Sequence, residues 1–332
     1  MNVLKTINKK FGQNVIIVIA LVVLILLFYT LNPNFLNKYN IISMAQSFTP
    51  YAIMGLGVTF AIATGGIDLS IGTVCIASSV VAGKLYTLDL IPLWATIPIM
   101  IIIGTTFGLI NGILIAKFKL PSFIATLGTM MVSRGLSAIF VGVPNVFYPT
   151  GLWFNKVFSN YNGFPAGLLW VLVFMIFCMY LMYKNKTGRY ILAIGSNEEA
   201  TRLSGINTDK YKMIAYIISG CFAGIAAIFW SSSFVTVATA TGNGMELDAI
   251  AGVYIGGTSA TGGVASVGGS VTGALMLVVI RSGLNFVLAL FNINVNSTYV
   301  TYVLTGFIVV LAVLFDKFRD KIAKMVEFSG IK

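Results

Sequence analysis

Apolar runs recur along the chain with short polar breaks between them. They cover residues 14–31, 41–63, 70–86, 92–116, 121–141, 166–183, 213–234, 248–257, 268–290 and 298–316. A helix needs about twenty apolar residues to cross the hydrocarbon core of a bilayer, and all but the eighth run come close to that. The eighth is too short to cross alone, and the Gly-rich stretch behind it is expected to prolong it. The pattern predicts an all-α integral membrane protein of about ten transmembrane helices, a single transmembrane domain over residues 1–332. Lys5, Lys9 and Lys10 ahead of the first run imitate the start of a signal peptide. Thr30-Leu31-Asn32-Pro33 offers no small-residue cleavage site, so this run is read as a first span.

Composition agrees. The chain is 58% hydrophobic and only 9% charged, with a mean hydropathy of +0.93. A soluble domain of this size leaves too much surface wet to tolerate that balance. The 34 glycines point to close helix packing, because lipid gives helices no hydrophobic reason to associate. Gly104, Gly108 and Gly112 recur every four residues on one helix face and read as such a packing seam. Cys75, Cys178 and Cys221 sit apart inside apolar runs, without CxxC spacing, and read as small buried hydrophobes. There is no histidine, which excludes His-based triads, His-ligated zinc and His proton relays. No metal site is expected.

The net charge of +11 invites a nucleic-acid reading, but its distribution opposes one. A nucleic-acid binder gathers its basic residues on one face. Here sixteen of the 21 Lys and Arg residues fall at the N-terminus, at Lys117 and Lys119, between Lys184 and Lys212, or from Lys317 onward. Threaded with the N-terminus inside, all sixteen lie on the cytoplasmic side, as the positive-inside rule asks. Only Lys38, Lys84 and Lys156 lie outside. The expected place is therefore a bacterial cytoplasmic (inner) membrane, crossed many times, with both termini cytoplasmic, lipid as neighbour and no nucleic acid.

The two halves of the chain are alike. Gly66-Ile67-Asp68-Leu69-Ser70-Ile71-Gly72 resembles Glu246-Leu247-Asp248-Ala249-Ile250-Ala251-Gly252, and Asp68 and Asp248 stand 180 residues apart. Gly269 and Gly273 echo the earlier glycine series. Five spans per half is an odd number, so the second copy would run upside down, a common plan of alternating-access transporters. The expected repeats are about 1–165 and 166–332, with Asp68 toward the cytoplasmic side and Asp248 toward the outer side.

Intramembrane charge is costly, about 3 kcal/mol at the bilayer centre, so Asp68, Arg134, Glu246, Asp248 and Arg281 each need a partner or water. Asp68, with Ser70, reads either as a helix cap opening the third span or as part of a pathway. Glu246 and Asp248 read either as the start of the short eighth helix or as an outer gate. Arg134 and Arg281 lie about thirteen residues from an inner end, the depth of Glu246 and Asp248, roughly 20 Å at 1.5 Å per residue. Asn111, Thr126 and Asn285 are small polar candidates for lining a translocation path. The long polar loop 184–212 carries a further feature. Asn197 suits a helix N-cap, Glu198 and Glu199 suit a first turn, and Gly205 suits a stop. A short helix of about two turns, bracketed by Gly195 and Gly205, reads either as a topology anchor or as a docking helix for a cytoplasmic partner. In the second case Arg202 faces the partner, held by Glu198 one turn away.

The motif around Asp68, Leu120-Pro121-Ser122-Phe123-Ile124-Ala125-Thr126-Leu127-Gly128, the loop just described, the motif around Asp248, Gly256-Gly257-Thr258-Ser259 and Gly262-Gly263 together resemble the ribose/galactose-type permeases of ABC sugar importers. The resemblance covers nearly the whole chain. It implies the membrane-spanning subunit of an importer moving a monosaccharide, pentose or hexose, into the cell, and not an enzyme. It implies cytoplasmic ABC ATPase subunits docked on the inner loop, an external sugar-binding protein, and a second permease copy or a paralogue. No phosphate loop of the G-x-x-x-x-G-K-[ST] type is present. ATP and Mg therefore belong to the partner, and no cofactor is expected on this chain. The alternative is an ion-coupled carrier using Asp68 and Asp248, which would have no need of a docking helix.

Overall fold

The computed structural model describes residues 2–242, 244–290 and single positions between 300 and 314, with side chains from Ile17 onward. The tenth run, 298–316, and the C-terminus therefore lie largely outside the described residues. The chain is helical almost throughout: α1 (Asn2–Leu31), α2 (Lys38–Ala63), α3 (Ile71–Thr87), α4 (Thr96–Ala116), α5 (Ser122–Val141), α6 (Trp153–Phe158), α7 (Gly167–Met179), α8 (Lys186–Ser196), α9 (Glu198–Leu203), α10 (Thr208–Ser233), α11 (Met245–Ile255) and α12 (Val267–Leu290). Among the described residues, six stretches are long and apolar enough to cross a membrane: Lys38–Ala63, Leu93–Ala116, Ser122–Val141, Gly167–Lys184, Thr208–Ser233 and Val267–Leu290. Ile17–Leu31 and Ile71–Thr87 are shorter apolar helices.

Helices α2 and α10 form the centre. Each starts on an asparagine cap, Asn37 accepting from Tyr39 N and Asn207 from Lys210 N, both at 3.0 Å. Each is then buried along most of its length. Helix α4 lies on α10 along the glycine series, as its spacing predicted. Gly104 and Gly108 face Gly220 and Gly224, and a Cβ placed on Gly108 would stand 3.0 Å from the Gly220 Cα. On the other side α12 meets α11 along a second seam, Gly269 and Gly273 against Gly256 and Gly252. It is tied to α2 by the Thr59 and Ser270 hydroxyls, 2.8 Å apart.

Two non-helical segments, 64–70 after α2 and 234–242 after α10, enter the bundle from opposite ends. They meet inside it. A Cβ on Gly72 would lie 2.7 Å from the Glu246 backbone nitrogen, so α3 and α11 start against each other and run apart. Helix α3 rises to a two-stranded antiparallel ladder, β1 (Asn145–Phe147) with β2 (Thr236–Ala238), in the register Val146↔Val237. Tyr148 beyond β1 donates to the Ser79 carbonyl at 2.7 Å. Helix α11 runs the other way, toward Ala63, whose carbonyl accepts from Gly263 N at 3.0 Å.

The eighth run departs from expectation. It does not continue through the Gly-rich stretch, because Gly257, Gly262 and Gly263 adopt φ of 86°, 85° and 75° and turn the chain out of helical geometry. With eleven residues, α11 spans only about 16 Å, roughly half a bilayer core. The inner loop also differs. Residues 184–212 hold two helices, α8 and α9, and a membrane-end turn at Tyr180–Lys184 joins α7 to α8. The short α6 and the β-ladder, both in polar-apolar mixed sequence, carry no strong periodic signal.

Candidate functional site

Asp68 sits in the segment that leads into α3 and is 1% exposed. Its Oδ1 accepts from Ser70 N at 3.0 Å and from Ser70 Oγ at 2.6 Å, and its Oδ2 from Ser219 Oγ on α10 at 2.6 Å. No cation pairs with it among the described residues. Three short donors and the adjoining helix start take the place of one. The chain of polar groups continues outward. Asn111 Nδ2 on α4 donates to Ser70 Oγ at 2.9 Å, and Thr129 Oγ1 on α5 donates to Asn111 Oδ1 at 2.7 Å. Thr126 Oγ1 reaches the Ser122 and Ile67 carbonyls, and Ile67 N donates to Ser122 Oγ at 3.2 Å. Four sequence candidates, Asp68, Ser70, Asn111 and Thr126, thus belong to one buried network that joins α3, α4, α5 and α10.

Asp248, in the first turn of α11, forms an ion pair with Arg281 of α12. Arg281 Nη1 also donates to the Tyr51 hydroxyl on α2 at 3.1 Å, and its guanidinium lies 5.4 Å from the Tyr51 ring centre. Tyr51 in turn meets Trp230 of α10 edge to face, 6.4 Å between centroids. Glu246 accepts from Gly244 N at 3.2 Å. The expectation that Arg281 lies at the depth of Asp248 is thereby given a geometry. Asn285 stands apart: it is exposed, one turn beyond Arg281, and joins neither cluster. Ser219, Thr129 and Tyr51 escaped notice in the sequence because single polar residues in apolar helices carry no motif.

At the end of the bundle carrying Ala63, Asn197 closes α8 and caps α9, its Oδ1 accepting from Ala200 N at 2.9 Å. Gly205 ends the element at φ 84°, a conformation glycine adopts without strain. Gly195 lies in α8 against the Ala63 carbonyl and Gly263 N, leaving no room for a side chain. It is a packing residue there. Glu198 does not hold Arg202. Its Oε2 accepts from Lys212 Nζ of α10 at 2.5 Å, because that half-buried cation bridges to the neighbouring helix while Arg202 points to solvent. Across from α9, Lys119 of the α4–α5 turn is ion-paired with Asp209, also at the start of α10.

A multi-span helical bundle with two buried acid clusters at its broken helices, and a polar helical platform at one end, defines a membrane permease. Residues 40–313 match the family described as branched-chain amino acid transport system / permease component, and the chain belongs to that family. It is 35% identical to the ribose import permease protein of Escherichia coli strain K12 over 304 residues, 90% of this chain and 92% of that one. It is 34% identical to the ribose import permease protein of Haemophilus influenzae, with the same coverage. It is 32% identical to the galactose/methyl galactoside import permease protein of Escherichia coli, over 91% of this chain and 94% of that one. No solved structure matches. The chain is a multi-pass membrane protein and a transport subunit, not an enzyme, and the ion-coupled alternative finds no support among these relatives.

Proposed function

We propose that this chain is the membrane-spanning permease of an ABC importer, carrying a monosaccharide, ribose-like pentose or hexose, into the cytoplasm. The relatives' printed cargoes, ribose, galactose, fructose and arabinose, support a sugar over the amino acids of the family description. ATP and Mg are held by cytoplasmic ATPase subunits that dock on loop 184–212, and an external binding protein delivers the sugar. A second copy or a paralogue completes the permease.

The observation that carries the mechanism is the meeting of α3 and α11, each begun halfway through the bundle and each held by one acid cluster. Helix pairs α3–α4 and α11–α12 correspond, as do α4–α10 and α12–α2, which supports two inverted repeats, about 1–165 and 166–332, within ten spans. With both termini cytoplasmic, the Asp68 cluster faces inward and the Asp248–Arg281 cluster outward. Glu246 stands with Asp248, and Asn285 lies farther out on α12. In this reading the two clusters are latches. Each has a closed arrangement, drawn in the geometry above, and docking of the ATP-bound or ATP-free partner shifts which one opens.

The test is uptake by vesicles containing the permease, its ATPase and its binding protein. Uptake of labelled ribose or galactose should persist when proton and sodium gradients are collapsed and stop when ATP hydrolysis is blocked. Loss of uptake on gradient collapse with ATP still present rules this function out.

A further inference from the structure

Among the six long spans of the described residues, the one containing α7 is the least covered by the rest of the bundle. Leu169, Leu172, Ile176 and Tyr180 follow one another along it at spacings of three and four residues and are all exposed, an apolar stripe on one helix face. The span ends at Lys184. There the chain turns through Tyr180–Lys184 into α8 and sets three exposed cations, Lys184, Lys186 and Arg189, just past the foot of the stripe. Lys186 and Arg189 share a face of α8 with Tyr190, three and four residues along, while Gly188, Ile191 and Ile194 are buried on the other face. Tyr190 meets Tyr211 of α10 edge to face, 4.8 Å between ring centres, and Lys210 Nζ lies 5.9 Å from the Tyr211 ring centre, so a fourth cation continues the strip. The turn that carries these charges is fixed. Gly188 lies against the Leu181 and Met182 carbonyls with no room for a Cβ. The Tyr183 hydroxyl donates to the Ala265 carbonyl at 3.0 Å and accepts from Val267 N at 3.1 Å. Little acid answers this charge. No Asp or Glu occurs between Asp89 and Glu198, and Glu198 and Asp209 are taken by Lys212 and Lys119. Lys184, Lys186, Arg189 and Lys210 have no ion-pair partner among the described residues.

We propose that the junction of α7 and α8 binds one anionic phospholipid of the cytoplasmic leaflet, its phosphate on Lys184, Lys186 and Arg189 and an acyl chain along the stripe on α7. The leaflet rests on the orientation proposed above, whereas the site itself does not. Cations just beyond the end of a span meet the negative surface of the membrane, and the planar fork of Arg189 matches two phosphate oxygens. Tyr180 and Tyr183 stand at the level where amphipathic rings favour the headgroup region. A zwitterionic lipid offers the same phosphate but brings an ammonium group among the cations, and like charges repel. An acidic protein segment would satisfy the charge as well, yet it has no use for the apolar stripe that ends at the same place. A lipid joins a negative head to an acyl chain and fits both.

The test is native mass spectrometry of the full-length permease, stripped of lipid in detergent and titrated with dioleoylphosphatidylglycerol or dioleoylphosphatidylcholine. The first phosphatidylglycerol should bind about tenfold tighter than phosphatidylcholine or better. A variant combining Lys184→Gln, Lys186→Gln and Arg189→Gln should lose that preference. One combining Lys38→Gln, Lys84→Gln and Lys156→Gln, which removes equal charge from other elements, should keep it. No preference in the wild-type protein, a preference that survives in the first variant, or an equal loss in both variants overturns the site. Inorganic phosphate at millimolar concentration should not displace the bound lipid, and displacement would make this a site for soluble anions and overturn the proposal. Should the first variant fail to fold, Arg189→Gln alone repeats the titration, where a loss of about threefold is expected and an unchanged ratio overturns the site. The leaflet is read separately, from Arg189→Cys in a background with Cys75, Cys178 and Cys221 replaced by alanine. An impermeant maleimide should leave that thiol unlabelled in intact cells. Labelling there overturns the orientation and the leaflet with it, whereas loss of the lipid preference overturns the site and leaves the orientation standing.

Discussion

Arg281 and Asp248 show how a buried charge governs this bundle. Replacing Arg281 by Met leaves Asp248 buried beside Tyr51 with its cation gone, a change that costs about 3–5 kcal/mol. Thermal unfolding in detergent should register that loss, and Arg281→Met combined with Asp248→Asn should recover much of it, because no uncompensated charge then remains. Equal destabilisation by the single and double variants would deny the pair its role. The Asp68 cluster answers differently, because hydrogen bonds rather than a cation satisfy the carboxylate. Ser219→Ala removes one charge-assisted bond at 2.6 Å and should cost about 1.5–3 kcal/mol. A full-strength uptake rate and unaltered melting in that variant would show that Asp68 needs only Ser70. At this scale the sequence was informative about charges and uninformative about their donors. A carboxylate in an apolar run announces a buried need, whereas Ser219 in Ile217-Ile218-Ser219-Gly220 is a common small residue of membrane helices.

Among the helices, glycine decides how close two axes come. Gly108 faces the Gly220 backbone across the α4–α10 seam, so Gly108→Val should drive the helices apart and abolish monodisperse folded protein. Gly128 on α5 has nothing within 4 Å of its added Cβ. There Gly128→Ala should be neutral to stabilising by up to about 1 kcal/mol, since alanine is the better helix former. Size-exclusion profiles and melting temperatures of the two variants check both expectations, and similar outcomes at the two sites would contradict the seam. The four-residue spacing of Gly104, Gly108 and Gly112 made this seam legible before any coordinates. The extent of α11 was not legible, because the glycines and small hydroxyl residues that follow it, Gly256 to Gly263, carry no charge to mark an end. Only the left-handed turns at Gly257, Gly262 and Gly263 stop it. Asn197 as a cap was also legible from local chemistry, while the choice of Lys212 over Arg202 as partner of Glu198 depends on where α10 packs.

The molecule as a whole has two distinct ends, one carrying the β-ladder and the other carrying α8 and α9. Under the proposed orientation a membrane-impermeant thiol reagent applied to intact cells should label Asn162→Cys and leave Leu203→Cys untouched until the membrane is opened. The reverse pattern would invert the topology and exchange the roles of the two latches. The bias of basic residues predicts this orientation, while the meeting of the two broken segments needed the three-dimensional packing.

That meeting also constrains how the protein is made. Residues 239–242 run non-helical between the β-ladder and α11, and lipid offers their backbone groups no hydrogen-bond partners. Helix α11, at eleven residues, is too short to be inserted as an independent span. The segment after α10 can therefore settle only once α12 has arrived to wall it against α2 and α3. A nascent chain stopped at residue 266 would hold this half-threaded hairpin without its wall, and should be cleared by membrane proteases faster than a chain stopped at residue 290. Pulse-chase measurement of the two truncations would reveal the order of assembly. Helix α12 is accordingly the wall for which the segment after α10 has to wait.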